Sequence, residues 1–267
     1  MSHATLDMYH LGPAEPAKDA FWARVGAQLT RGGLKGVPNL LTVSTPWDAL
    51  LTTPGLLLGQ TCGYPMMTIQ RDRVQYVATP CYDAPGCHGP TYSSAVMVRA
   101  DDRATDVESL RGRTVAFNAS HSQSGYNSLR VLIAPFAVDG RFFGETLETG
   151  SHAASFQAVL DGKADCCATD SVYLALLGDQ DPGKVSRARR IAWTPPAPAL
   201  PFVTAPSASR ETVAILRRAL LDVAGNPANR DILKPMRIKG VQVLDPRAYD
   251  AVLMQENLAR RFGVTEL

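Results

Sequence analysis

Through most of this chain, short β-like runs alternate with amphipathic stretches of helical period, the pattern of parallel sheets flanked by helices. The first helical stretch, Lys18 to Arg31, spaces Phe21, Trp22, Val25 and Leu29 near 3.6 residues. Strands are expected at Leu40 to Ser44, Leu56 to Thr61, Val74 to Pro80, Arg113 to Phe117, Ala164 to Thr169 and Phe202 to Thr204. Helices are expected at Ser124 to Ala134, Ser155 to Gly162, Ser171 to Leu177, Ser209 to Ala224 and Ala248 to Phe262, with single helical turns at Trp47 to Leu51 and Asp106 to Leu110. Both alternating sets of Ser93 to Arg99 are largely apolar, so this strand is buried on both faces and suits a crossover between two lobes. The segment Trp193 to Pro201 carries four prolines, which hold the chain extended, and reads as the return connection. The expectation is an α/β protein of two lobes, residues 1–93 plus 201–267 and residues 94–200.

A chain of 267 residues is at the upper limit of what one hydrophobic core serves, which agrees with two lobes. With 27 basic and 25 acidic side chains spread along it, the chain offers no field for counterion release, so nucleic acid is excluded as a partner. The densest basic run, Arg187, Arg189 and Arg190, reads as a solvated turn. No apolar stretch reaches the roughly 18 residues of a membrane span, so the protein is not expected to be membrane-embedded. Met1 to His10 contains no positive cluster followed by an apolar run. The expected compartment is therefore the periplasm if a leader has been removed, and the cytoplasm if this is the native start. Of five cysteines, Cys62, Cys81 and Cys87 fall in one Gly- and Pro-rich region where either a bridge or packed thiols are possible, while the adjacent Cys166 and Cys167 read as buried. Paired C-x2-C spacing is absent, and neither a metal site nor a cofactor is expected.

Three polar stretches could carry chemistry. In Arg113 to Tyr126, a strand leads through a polar turn into a helix, with Ser122, Gln123 and Ser124 at the helix start. The first N–H groups there are unpaired and the macrodipole adds positive charge, so an anion is favoured; Gly125 lets it approach the backbone, although Ser122 could equally be a plain N-cap. Gly150 to Ser155 precedes a second helix and includes His152, a possible donor to an anion. Gly162 to Ser171 is a strand ending in Asp170, and the carboxyl ends of parallel strands face the crevice of open α/β sheets. Four histidines, His10, His88, His121 and His152, could in principle serve Ser or Cys chemistry, but G-x-S-x-G, P-loop and H-E-x-x-H motifs are all absent.

The ordered set Ser-x-Ser-Gly-Tyr (122–126), Gly-Ser-His (150–152) and Gly-x-Ala-Asp-x-x-Ala-x-Asp-Ser (162–171) resembles the phosphonate-binding family of periplasmic solute-binding proteins. Gln60-Thr-Cys-Gly-Tyr-Pro65 and Tyr92-Ser-Ser-Ala-Val-Met-Val-Arg99 add to the resemblance, which spans roughly residues 56 to 204. It implies a type II periplasmic-binding-protein fold, two α/β lobes joined by two crossover segments with a ligand cleft between them. It also implies a small anionic solute of the phosphonate, phosphite or phosphate class, an ABC permease as partner, and a monomer. Carried over by position, Ser122, Gln123 and Ser124 line the anion pocket, His152 hydrogen-bonds the same group, Asp170 meets the substituent, and Tyr64 and, by topology, Tyr9 approach from the first lobe. Phosphonate-binding members typically carry Ser-Thr-Ser-Gly, so Gln123 either shrinks the pocket or reaches a different acceptor. A ligand sensor, or an enzyme on the same fold as in pyrimidine-precursor synthases, are the alternative readings.

Overall fold

The structure, a computed structural model, describes residues 2–43 and 48–267. Ser44, at the end of one expected strand, and Trp47, at the start of one expected helical turn, lie outside the described residues. The chain divides into two compact units.

The first unit comprises Met1–Asp83, His88–Pro90 and Pro198–Ala248. Its sheet has the spatial order His3–Ala4, Leu56–Gln60, Phe202–Thr204, Gln75–Tyr82, Ile238–Gln242. The sheet is mixed and not all parallel as expected: Phe202–Thr204, the strand that returns from the second unit, runs antiparallel to both of its neighbours. Leu40 to Val43 adds no strand, although Thr42 donates a backbone hydrogen bond to Ala4. The helix Ala14–Arg31 begins one turn earlier than its apolar period indicates. It buries Phe21, Trp22, Val25 and Leu29 completely or nearly so, each worth roughly 1.5–3 kcal/mol against exposure, and Phe21 stacks on Phe202 of the sheet. The helix Arg210–Gly225 is capped by Ser209, whose hydroxyl accepts from the Thr212 N–H, and buries Val213, Leu216 and Leu220.

The second unit comprises Ala84–Cys87, Thr91–Ala197 and Tyr249–Leu267. Its sheet runs Ala188–Trp193, Ser94–Arg99, Cys166–Asp170, Thr114–Phe117, Glu145–Glu148. The last three strands are parallel and the crossover strand Ser94–Arg99 is antiparallel to Cys166–Asp170. Five of the six crossover residues are buried, as their two-sided apolar pattern predicts. Val96, Val98, Leu110, Val115, Leu129, Ile133, Cys166 and Ala168 form the core beneath the helices.

Two expectations are corrected. Arg189 and Arg190 belong to an edge strand and not to a solvated turn: Arg189 donates to the carbonyls of Asp102 and Ala104, and Arg190 lies 4.2 Å over the Trp193 ring. The C-terminal helix Asp250–Arg261, assigned by sequence to the first lobe with residues 201–267, packs in the second unit. It does so because it buries Val252 and Ala259 there, and because its Val252 carbonyl and Gln255 side chain pair with Asn127 and Gln123. All five cysteines are buried thiols, and no disulfide forms among the described residues. No helix among the described residues is long and apolar enough to cross a membrane, and no group of His, Cys, Asp and Glu among them could hold a metal ion.

Candidate functional site

In the second unit, the strand Thr114–Phe117 delivers the chain to a polar turn and then to a widened helical start, Gln123–Asn127, which continues as the α-helix Ser128–Ile133. The first turn is a π-turn: the Asn127 N–H reaches back five residues to the Ser122 carbonyl at 2.9 Å. Ser122 is the N-cap, extended at φ −75° and ψ 135°, and its hydroxyl accepts from the Gly125 N–H at 3.1 Å. Ser128 supports the turn from behind, donating through its hydroxyl to the Ser124 carbonyl. The backbone N–H groups of Gln123 and Ser124 precede the first helical bond and are given no acceptor among the described residues.

Gly125 is required for packing. A Cβ there would lie 2.0 Å from Oδ1 of Asn118 and 3.3 Å from Cε1 of His152. Asn118 Oδ1 is itself buried and has no hydrogen-bond partner among the described residues.

His152 opens the helix His152–Leu160, capped by Ser151, whose hydroxyl accepts from the Ala154 N–H. Its Nε2 is 2.8 Å from the Ser124 hydroxyl, and its ring lies 5.8 Å from that of Tyr173. Burial pushes the imidazole pKa down to about 4, with the Ala168 carbonyl opposing the shift, so His152 is neutral at neutral pH. A neutral ring pairs with the serine as donor or acceptor according to its tautomer.

The remaining candidates have traceable partners. Gln123 is fully buried, donates from Nε2 to Gln255 Oε1 at 2.7 Å, and accepts from Asn127 Nδ2 at 2.9 Å. Asp170 ends the strand Cys166–Asp170 and caps the helix Ser171–Gln180, its Oδ1 accepting from the N–H groups of Val172 at 2.7 Å and Tyr173 at 3.2 Å. In the first unit, Tyr9 stands at φ 61°, a left-handed backbone that a non-glycine residue rarely adopts, with its ring edge-on to Tyr82 at 5.8 Å. Tyr64 is 8% exposed on the one-turn helix Gly63–Met67, where its carbonyl accepts from the Thr68 hydroxyl.

Within the second unit, then, the fold brings Ser122, Gln123 and Ser124 together with His152 around Gly125. Sequence reasoning missed Asn118, Asn127 and Gln255. A polar residue just after a strand marks Asn118, but no local signal marks Gln255, which meets Gln123 across 132 positions.

These groups lie at a helix start and carry no formal charge; helix starts favour anions through oriented dipoles. His152 Nδ1 meets no carboxylate among the described residues, and Cys166 and Cys167 are buried thiols, with burial pushing Cys167 up to about 12.

Residues 58–249 match the family described as "ABC transporter, phosphonate, periplasmic substrate-binding protein". No curated protein sequence matches the chain significantly. Among solved structures, the chain is similar to a binding protein component of an ABC phosphonate transporter from Pseudomonas aeruginosa, with TM-score 0.73 and 16% identity over 98% of this chain and 87% of that one. It is also similar to a Xanthomonas citri protein bound to ATP, with TM-score 0.69 and 18% identity over 98% of both chains. A third similarity is to PhnD1 from Prochlorococcus marinus in complex with methylphosphonate, with TM-score 0.70 and 14% identity over 94% of both chains. The periplasmic-binding-protein fold expected from the sequence is thus the fold observed, and with nearly three quarters of its length matched, the chain belongs to the phosphonate-type periplasmic substrate-binding protein family of ABC transporters.

Proposed function

We propose that this member of the family holds a small tetrahedral oxyanion of the phosphonate, phosphite or phosphate class at the start of the helix Gln123–Ile133, for delivery to an ABC permease, and performs no chemistry on it. The observation that carries the reading is the Ser124–His152 pair, 2.8 Å apart beside the uncommitted N–H groups of Gln123 and Ser124. An oxyanion seated there accepts from the two N–H groups and the Ser124 hydroxyl, each a charge-assisted bond stronger than its neutral counterpart.

Asp170 joins the ligand set as the group that meets the substituent. Ser122 serves chiefly as the cap that shapes the turn. The protein acts as a monomer in the periplasm. A thermal-shift screen with methylphosphonate, phosphite, phosphate, sulfate and aminoethylphosphonate tests the reading, since a ligand that binds only the folded state raises the midpoint. A rise with at least one phosphorus oxyanion, absent in Ser124→Ala, is expected; no rise with any of them ends the proposal.

A further inference from the structure

We propose that Gln123 is a positioning residue, acting through one directed chain of side chains that runs from Arg130 to the carbonyl of Pro196 and holds the helix start in register. The proposal rests on the reading of that helix start as the anion site.

The chain has a fixed polarity. Arg130, 3% exposed, has only donors, and its Nη2 donates to Asn127 Oδ1 at 3.1 Å. With its oxygen so committed, Asn127 donates from Nδ2 to Gln123 Oε1 at 2.9 Å and to the Val252 carbonyl at 2.9 Å. Gln123 in turn donates from Nε2 to Gln255 Oε1 at 2.7 Å, and Gln255 donates from Nε2 to the Pro196 carbonyl at 3.0 Å. One end is an obligate donor and the other an obligate acceptor, so reversing any single amide sets oxygen against oxygen or N–H against N–H. Bonds aligned in one direction polarise one another, and breaking one weakens the rest.

This arrangement explains why a long amide stands between Ser122 and Ser124. One Nε2 hydrogen and one Oε1 lone pair of Gln123 are committed to this chain, and the residue is fully buried. What it presents is its backbone N–H, whose direction depends on a side chain anchored at both ends. The anchor comes from the C-terminal helix Asp250–Arg261, itself tied down where Arg130 Nη1 donates to the Thr265 carbonyl at 2.6 Å. The far end, Pro196, is two residues before the chain passes into the first unit at Pro198. Order in the helix start and order in this departing segment are thereby linked.

The test compares the full-length protein with Gln255→Glu, Gln255→Met, Gln123→Met and the Gln123→Met/Gln255→Met pair. Backbone hydrogen exchange at Gly125, Asn127 and Ser128 is measured without ligand, and affinity for methylphosphonate and for inorganic phosphate by calorimetry. Gln255→Glu keeps an oxygen for Gln123 Nε2 but sets a charged oxygen against the Pro196 carbonyl, whereas Gln255→Met removes both bonds at similar volume and no charge, so a role in packing alone predicts no change for Gln255→Met. The expected result is about tenfold faster exchange at the three amides and about tenfold weaker anion affinity in each single variant, with the pair no worse than either single. Unchanged exchange in Gln255→Glu and Gln255→Met, or effects that multiply to about a hundredfold in the pair, overturn the proposal. If the wild-type protein binds neither anion while the coupled exchange effect appears, the positioning role stands and the anion reading falls.

Discussion

The hydroxyl of Ser124 and Nε2 of His152 are 2.8 Å apart although 28 residues separate them, each supplied by the first turn of a different helix. Two helix starts are therefore joined by one side-chain hydrogen bond. That pairing, which involves no formal cation, is the physical basis of the binding reading.

Removing the Ser124 hydroxyl leaves the turn intact, because the cap is Ser122 and the supporting hydroxyl is Ser128. Ser124→Ala is expected to weaken binding of the anion found in the screen by about ten- to a hundredfold, as the loss of a hydrogen bond to a charged group does, while the melting midpoint of the free protein stays within a few degrees. Calorimetric titration of the variant checks this; full affinity removes the serine from the site.

His152 makes stability depend on pH. Its folded pKa of about 4 is depressed below the ordinary 6.5, so the unfolded chain binds the proton more readily. The contribution is complete above about pH 6.5 and is lost as pH falls from there toward 4, at most about 3 kcal/mol in total. Denaturant unfolding at pH 7.5 and pH 5 is expected to show a smaller loss for His152→Gln than for the wild type. Parallel behaviour of the two proteins contradicts the assignment.

Gly125→Ala places a methyl 2.0 Å from Asn118 Oδ1, an impossible contact, and 3.3 Å from the His152 ring. A cost of about 1–3 kcal/mol and loss of anion binding are expected, because relief requires the Asn118 side chain and the turn to shift. Adding Asn118→Ala should return most of the stability. A fully stable single variant would show that the turn tolerates a side chain at this position.

Asp170 caps a helix, and the proposed function adds a second, separable role. As an N-cap it needs only an oxygen acceptor, so Asp170→Asn is expected to hold stability within about 0.5 kcal/mol, whereas Asp170→Ala costs about 1–2 kcal/mol. If its charge also meets a polar substituent, Asp170→Asn weakens aminoethylphosphonate more than methylphosphonate. Chemical denaturation with paired titrations separates the two; equal losses for both ligands confine Asp170 to the cap.

Part of the site was legible locally. Ser122 as a possible cap is a property of a short window, since capping acts over three or four residues, whereas the helix expected from Ser155 begins at His152. The strand order was less accessible. Phe202–Thr204 and Ser94–Arg99 read as strands from their apolar faces, yet their antiparallel insertion depends on the path of a chain that leaves one unit and returns. The Glu145–Glu148 strand left no apolar mark because three of its four residues are exposed.

What the sequence determined by itself was the α/β class, the crossover strand with two apolar faces, and the polar turn poised at a helix start, because periodicity, burial and capping are written in neighbouring residues. Only the tertiary structure decided what Gln123 does and where the C-terminal helix belongs. An amide side chain carries both a donor and an acceptor, so its composition names no partner. The bond to Gln255 is a contact across 132 positions, which no local pattern encodes.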